Sequence, residues 1–157
     1  MNKFENLSKD KETIMQKLAT SQNLCKALKY SNDNFLDMPD IEDTSELFYE
    51  KLYPYPKVPS IEDTQNAFVT IEFKDYRKTS NPLFKSGLIY IHAFCHVDKI
   101  RTDHGLRYNL MISEIDKTLN NIRGLGFGKL EFNKMDEYYV NEKYMGMDVV
   151  YKVCEFN

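Results

Sequence analysis

The chain has 157 residues, with 21 Lys and Arg against 24 Asp and Glu for a net charge of −3; this length fits one domain with a sizeable core, and the charge gives no basic footprint for tracking along a nucleic-acid backbone. Cys25, Cys95 and Cys154 are odd in number and without a CxxC spacing, which argues against a zinc knuckle and a secreted disulfide scaffold. No apolar run approaches the roughly 18 to 20 residues of a membrane span, and MNKFENLSKDKE lacks the apolar stretch of a signal peptide, so a cytosolic site of synthesis is expected.

From Lys9 to about Tyr30, Ile14, Leu18, Cys25 and Leu28 recur at helical spacing, with Lys11, Glu12, Lys17 and Lys26 on the other side. The pattern predicts one amphipathic packing helix, capped by Ser8 or Asp10 and stopped by SNDN at 31–34. Residues 31–60 form an acidic and Pro-rich excursion. Asp33, Asp37, Asp40, Glu42, Asp43 and Glu46 lack the mid-loop Gly that a calcium loop needs for its sharp turn, so a solvated acidic loop is expected. Asp43 followed by Glu46 fits a capping box opening a short helix through Leu47, Phe48, Lys51 and Leu52 and ending at Tyr53. YPYPKVPS cannot continue a helix and should run as an extended arm. Its apolar teeth, Tyr53, Tyr55 and Val58, have two possible partners, the chain's own sheet and another chain.

AFVTIEFK reads as a strand with Ala67, Val69, Ile71 and Phe73 on one face and Phe68, Thr70, Glu72 and Lys74 on the other. DYRKTSNP is then a polar, mobile connection, and a second long strand runs from near Ser86 to about Asp98. GLRYNLMISEIDKTLNN at 105–121 returns to helical period, with Thr102 or Asp103 as cap and an apolar face of Leu106, Leu110, Met111, Ile115, Leu119 and Ile122. GLGFG at 124–128 places its glycines between a helix and a following strand, the reverse of a phosphate-binding loop, and fits a helix C-cap at Gly124. KLEFNKM and MDVVYKVCEF supply two closing strands. The expected architecture is a single α+β domain over 1–157: an antiparallel sheet of about four strands in two hairpins, packed against an N-terminal helix and a central helix.

The stretch IYIHAFCHVDKIRTDHG holds all three histidines, but strand geometry separates them. Ile89, Ile91, Ala93, Cys95 and Val97 point one way; Leu88, Tyr90, His92, Phe94, His96 and Asp98 point the other. His92 and His96 are about 13 Å apart along an ideal strand, so they do not chelate one zinc. His104 lies near a helix N-terminus and is assigned a surface or cap contact. Joining Cys95 or His96 with Asp103 as nucleophile and base requires opposite faces to meet. With no paired carboxylates on a common face, no triad and no nucleotide loop, the chain reads as an interaction or structural protein, not an enzyme, with no metal and no cofactor. The aromatic second face of the long strand must be covered, by the same chain or by a neighbouring subunit.

The strand LIYIHAFCHVD, the helical IRTDHGLRYNLMISEIDKTLNN, GLGFGKLEF and the terminal VVYKVCEFN, over roughly 60–157, resemble tail terminator and tail completion proteins of long-tailed bacteriophages. The resemblance implies a virion protein, assembled in the host cytoplasm, that forms a ring of six subunits at the head-proximal end of the tail. Such a ring stops tube polymerisation and meets the head connector, so the implied partners are the chain itself, the tail tube protein and the neck or connector protein, with no membrane and no specific nucleic-acid binding. The alternatives are a neck or head-completion adaptor ring and a non-viral cytosolic interaction module. For the subunit contact the candidates are Tyr53, Tyr55, Tyr90, His92, Phe94 and His96, with Arg101 and Arg107 pairing with the acidic loop. For the axial contact they are Lys74, Asp75, Tyr76, Arg77, Lys78 and Lys85 of the hairpin loop.

Overall fold

A computed structural model of the chain describes residues 7–62, 67–78, 80–81, 84–120, 122 and 129–156, without the side chains of 78, 84, 85 and 154–156. The GLGFG turn with its Gly124 cap, and the Cys154 side chain, therefore lie outside the described residues.

The expected single first helix is two. Helix α1 spans Leu7–Leu18 and α2 spans Gln22–Lys29. The break falls at Ser21, whose backbone is extended and whose hydroxyl accepts from the Leu24 amide, so a local side-chain bond replaces the continuing helical ladder. Asp10 lies in the first turn of α1 and not ahead of it. Both helices keep their apolar faces inward through Ile14, Met15, Leu18, Leu24, Cys25 and Leu28.

The acidic excursion contains two short 3-10 turns, Phe35–Asp37 and Thr44–Leu47. Asp43 caps the second by accepting from the Ser45 amide at 3.1 Å. The helix expected to run to Tyr53 stops at Leu47, because Tyr49 takes a left-handed φ of 64° that turns the chain back. Leu52–Tyr53 then forms strand β1, paired parallel with Val69 and Thr70.

Strands β2 (Ala67–Lys78) and β3 (Phe84–His96) form the long hairpin. A small hairpin of β4 (Arg101–Thr102) and β5 (Gly105–Leu106) leads into α3 (Arg107–Leu119), and β6 (Glu131–Tyr139) and β7 (Tyr144–Phe156) close the chain. The main sheet has five strands in the order β1-β2-β3-β7-β6, so the two expected hairpins are present, joined through β3 and β7, with the parallel β1 added at the edge. Strand β3 ends two residues earlier than expected, because His96 Nδ1 accepts the Asp98 amide and caps a 3-10 turn over Val97–Lys99. Thr102 is not the cap of α3; its hydroxyl donates to the Gly105 carbonyl and accepts the His104 amide, closing the β4–β5 turn and leaving Leu106 exposed.

The axial loop expected between Lys74 and Lys85 is mostly strand. Lys74, Asp75, Tyr76, Arg77 and Lys78 belong to β2, Lys85 to β3, and Lys78 and Lys85 face each other in the ladder. A bulge between Lys74 and Arg77, with Asp75 at φ 56°, bends β2 there. Tyr76 uses that bend to lay its ring against Gly87 and stack on Phe73, 5.9 Å between centroids.

All three helices cover one face of the sheet: α3 packs on β3 and β7, α2 on β2 and α3, and α1 on α3. That face carries Val69, Ile71, Ile89, Ile91, Cys95, Val149 and Tyr151, all essentially inaccessible. Each buried aliphatic side chain there contributes about 1.5–3 kcal/mol relative to exposure. At the other end of the β3–β7 pair, Gly146 lies opposite Phe94 so closely that a Cβ on it would meet the Ala93 carbonyl oxygen at 1.9 Å.

Candidate functional site

The second face of the sheet is covered largely by its own chain. Tyr53, Phe68, Phe94 and Tyr144 form a small buried cluster flanked by Tyr138 and Val140. The extended arm after β1 crosses this face: Lys57 lies over the Phe68 ring at 4.5 Å, and Asn141 Nδ2 donates to the Pro59 carbonyl at 2.9 Å. Of the arm's apolar teeth, Tyr53 thus packs on its own sheet, while Tyr55 and Val58 stay exposed.

Register brings three side chains together on this face that the sequence holds far apart. Thr70 pairs with His92, His92 with Asp148 and Asp148 with Asp136, in one row across β2, β3, β7 and β6. His92 Nε2 lies 3.0 Å from Glu72 Oε2, and Nδ1 lies 3.5 Å from Asp148 Oδ2. Carboxylates therefore do share a face, with an imidazole between them, contrary to the expectation from sequence. They approach opposite nitrogens of the ring, so the group is not a chelate. Among the described residues no cluster of His, Cys, Asp and Glu is placed to hold a metal ion. A hydrogen bond from the His92 ring to Glu72 ties β3 to β2, while Asp148 of β7 lies beside the other ring nitrogen without bonding it.

Beside it opens a hollow of about 260 Å³, bounded by Pro56, Lys57 and Val58 of the arm, by Thr70, Glu72, His92 and Phe94 of the sheet, and by Tyr138, Tyr139 and Val140 at the end of β6. Thr70 is fully buried, and Thr70 Oγ1 and Tyr138 Oη have no hydrogen-bond partner among the described residues. Burial and the nearby Asp148 carboxylate push the Tyr138 hydroxyl well above its ordinary range, so it remains protonated. Sequence reading placed Thr70 and Glu72 on this face but missed Asp148 and Tyr138, which join them only once β7 and β6 are set in register.

The residues expected at a subunit contact divide. Tyr53, Phe94 and His96 are 6%, 5% and 5% exposed, so their surfaces are used inside the chain. His96 packs edge-on against Tyr144, 5.2 Å between centroids. Tyr90 and His92 are half-buried and stacked on each other, while Tyr55 remains exposed. Arg101 is exposed on β4. Arg107 is a correction: it is 1% exposed, donating from Nη1 to the Ala27 and Tyr30 carbonyls, from Nη2 to Asn32 and from Nε to Lys99. A guanidinium fork suits that set of carbonyls, and the side chain has no surface left for a neighbour. The acidic loop finds lysines of α2 instead, Asp40 pairing with Lys26 at 2.9 Å and Glu46 with Lys29. His104, exposed as expected, sits edge-on to Phe35.

A surface not foreseen is the outer edge of β6. It is a terminal strand of the sheet with eight of nine residues exposed, among them Phe132, Met135 and Tyr139 at 52%, 45% and 69%. These three lie on the helix-covered side of the sheet, opposite Tyr151, Val149 and Met145 of β7. An alternating EFNKMDEYY pattern carries the signal, but it reads equally as a covered strand.

Among curated proteins, none matches the chain. The YomW family matches residues 21–153, from the cap of α2 into β7, and so takes in the sheet, α3 and every residue of the hollow. That family name derives from a gene of an SPbeta-type phage and is consistent with a phage origin. The chain belongs to the YomW family.

Proposed function

We propose that this chain is a structural protein of a phage particle, forming a ring of six subunits at the head-proximal end of the tail, where it terminates the tail tube and joins the head connector. The observation that carries the reading is β6. A sheet edge presents a row of N–H and C=O groups ready to pair with another chain, and edges that must stay single are short, charged or covered. This one is nine residues long, uncovered among the described residues, and between its charged Glu131, Lys134, Asp136 and Glu137 it bears Phe132, Met135 and Tyr139 in the open. A second copy placed on it hides those side chains and completes the ladder, and a contact between two different patches of the same chain closes into a ring.

The phage-derived family name supports the setting. Lys74, Asp75 and Arg77, exposed on β2 toward the hairpin tip, supply mixed charge for contact along the ring axis. A neck adaptor ring would use the same subunit contact and differ in its neighbours. Native mass spectrometry of the purified chain over a concentration series tests the reading. Closed species of six subunits support it; a monomer at every concentration, also after mixing with the tail tube protein of the same phage, overturns it.

A further inference from the structure

We propose that the hollow beside His92 binds a neutral, hydroxyl-bearing ring, a sugar unit, independently of any assembly role. The hollow of about 260 Å³ has room for one small ring. Its polar lining is of the kind that reads hydroxyls: the Glu72 carboxylate accepts, and the Thr70 and Tyr138 hydroxyls both donate and accept. Those two hydroxyls are buried without partners among the described residues, a state that native structures rarely tolerate unless a ligand or water completes it.

Charge and shape narrow the ligand further. Glu72 is already engaged by the His92 ring at 3.0 Å and the Lys74 ammonium at 3.6 Å, and the Lys57 ammonium, which also lines the hollow, is drawn over the Phe68 and Tyr53 rings. The groups lining the hollow that are left without a hydrogen-bond partner among the described residues are the Thr70 and Tyr138 hydroxyls and His92 Nδ1, a set that suits a neutral, hydroxyl-bearing ligand. Phe94 and Tyr138 offer aromatic surface on which the C–H face of a sugar ring stacks, with Val58 and Val140 closing the sides. Two sources supply such a ring, a free monosaccharide or one unit of a glycan.

The test is a titration of the full chain with glucose, galactose, N-acetylglucosamine and the N-acetylglucosamine trimer, followed by NMR signals of the His92 and Tyr138 rings. At least one sugar should give saturable shifts; tighter binding of the trimer than of its monomer assigns a glycan, equal binding a free sugar. Thr70→Val and Tyr138→Phe should each weaken binding about tenfold or more, as loss of a buried hydrogen bond to the ligand implies. Because those hydroxyls have no partner among the described residues, the same variants should melt no lower than wild type. No shift with any sugar at ~100 mM, where a site of ~10 mM affinity is mostly filled, overturns the proposal. So does unchanged binding in both variants, or a clear fall in the melting temperature of Thr70→Val, which would give its hydroxyl to the fold. A monomer that binds sugar leaves this inference standing while the ring reading fails; a ring blind to every sugar does the reverse.

Discussion

The Arg107 guanidinium lies 4.5 Å above the centre of the Phe35 ring, and together the two close the junction between α2, the acidic excursion and the start of α3. Four carbonyls from Ala27, Tyr30, Asn32 and Lys99 depend on this one side chain. Arg107→Met should cost about 3–5 kcal/mol, since it strands acceptors that water reaches poorly. Arg107→Lys should recover only part of that, lacking the planar fork. Urea unfolding measures both; a midpoint unchanged in Arg107→Met would show that the carbonyls find other donors.

At the sheet edge, Phe132→Lys with Met135→Lys should abolish self-association while leaving unfolding of the isolated subunit within about 0.5 kcal/mol, as exposed substitutions generally do. Sedimentation velocity reads the first effect and urea unfolding the second. Assembly that survives the double variant would move the subunit contact away from β6.

Burial pushes the Cys25 thiol up to about 11 and the Cys95 thiol up to about 12. The folded chain thus favours the protonated thiols, so their contribution to stability is fully present below the ordinary thiol range. It is lost as pH rises from about 9 through these values. Stability should decline over that window, and both residues should resist iodoacetamide in the native state at pH 8, by peptide mapping. Rapid native alkylation of either would contradict their burial.

Inside the core, the Tyr151 hydroxyl donates to Asp116 Oδ1 at 2.7 Å, tying β7 to α3. Tyr151→Phe should cost about 0.5–1.5 kcal/mol, the net worth of one hydrogen bond, and somewhat more because the partner is a carboxylate. Thermal unfolding at neutral pH is the measurement, and a more stable Tyr151→Phe would show that burying the hydroxyl outweighs its bond.

What could be read from sequence was what repeats locally. Alternation placed Val69, Ile71, Ile89 and Ile91 on the core side, helical period gathered Met111, Ile115 and Leu119, and Asp43 announced its cap. The break at Ser21 escaped because Leu18, Leu24, Cys25 and Leu28 keep the apolar face nearly continuous across it. Arg107 reads in the sequence as a surface charge, because only the folded chain brings four carbonyls to one point. Glu72, His92 and Asp148 come from three strands, and Asp148 reaches the others only through the pairing of β3 with β7, a contact across more than fifty residues. No local pattern encodes that meeting.

Gly146 bears on how the chain finds this pairing at all. Slipping β7 by two residues against β3 preserves the alternation of faces, so hydrophobic pattern alone does not forbid it. Such a slip would carry Tyr144 or Asp148 to the place beside Ala93 where even one added carbon collides with backbone. A single missing side chain thus acts as a key for the central strands, admitting one alignment and rejecting its nearest impostors before the ladder can zip.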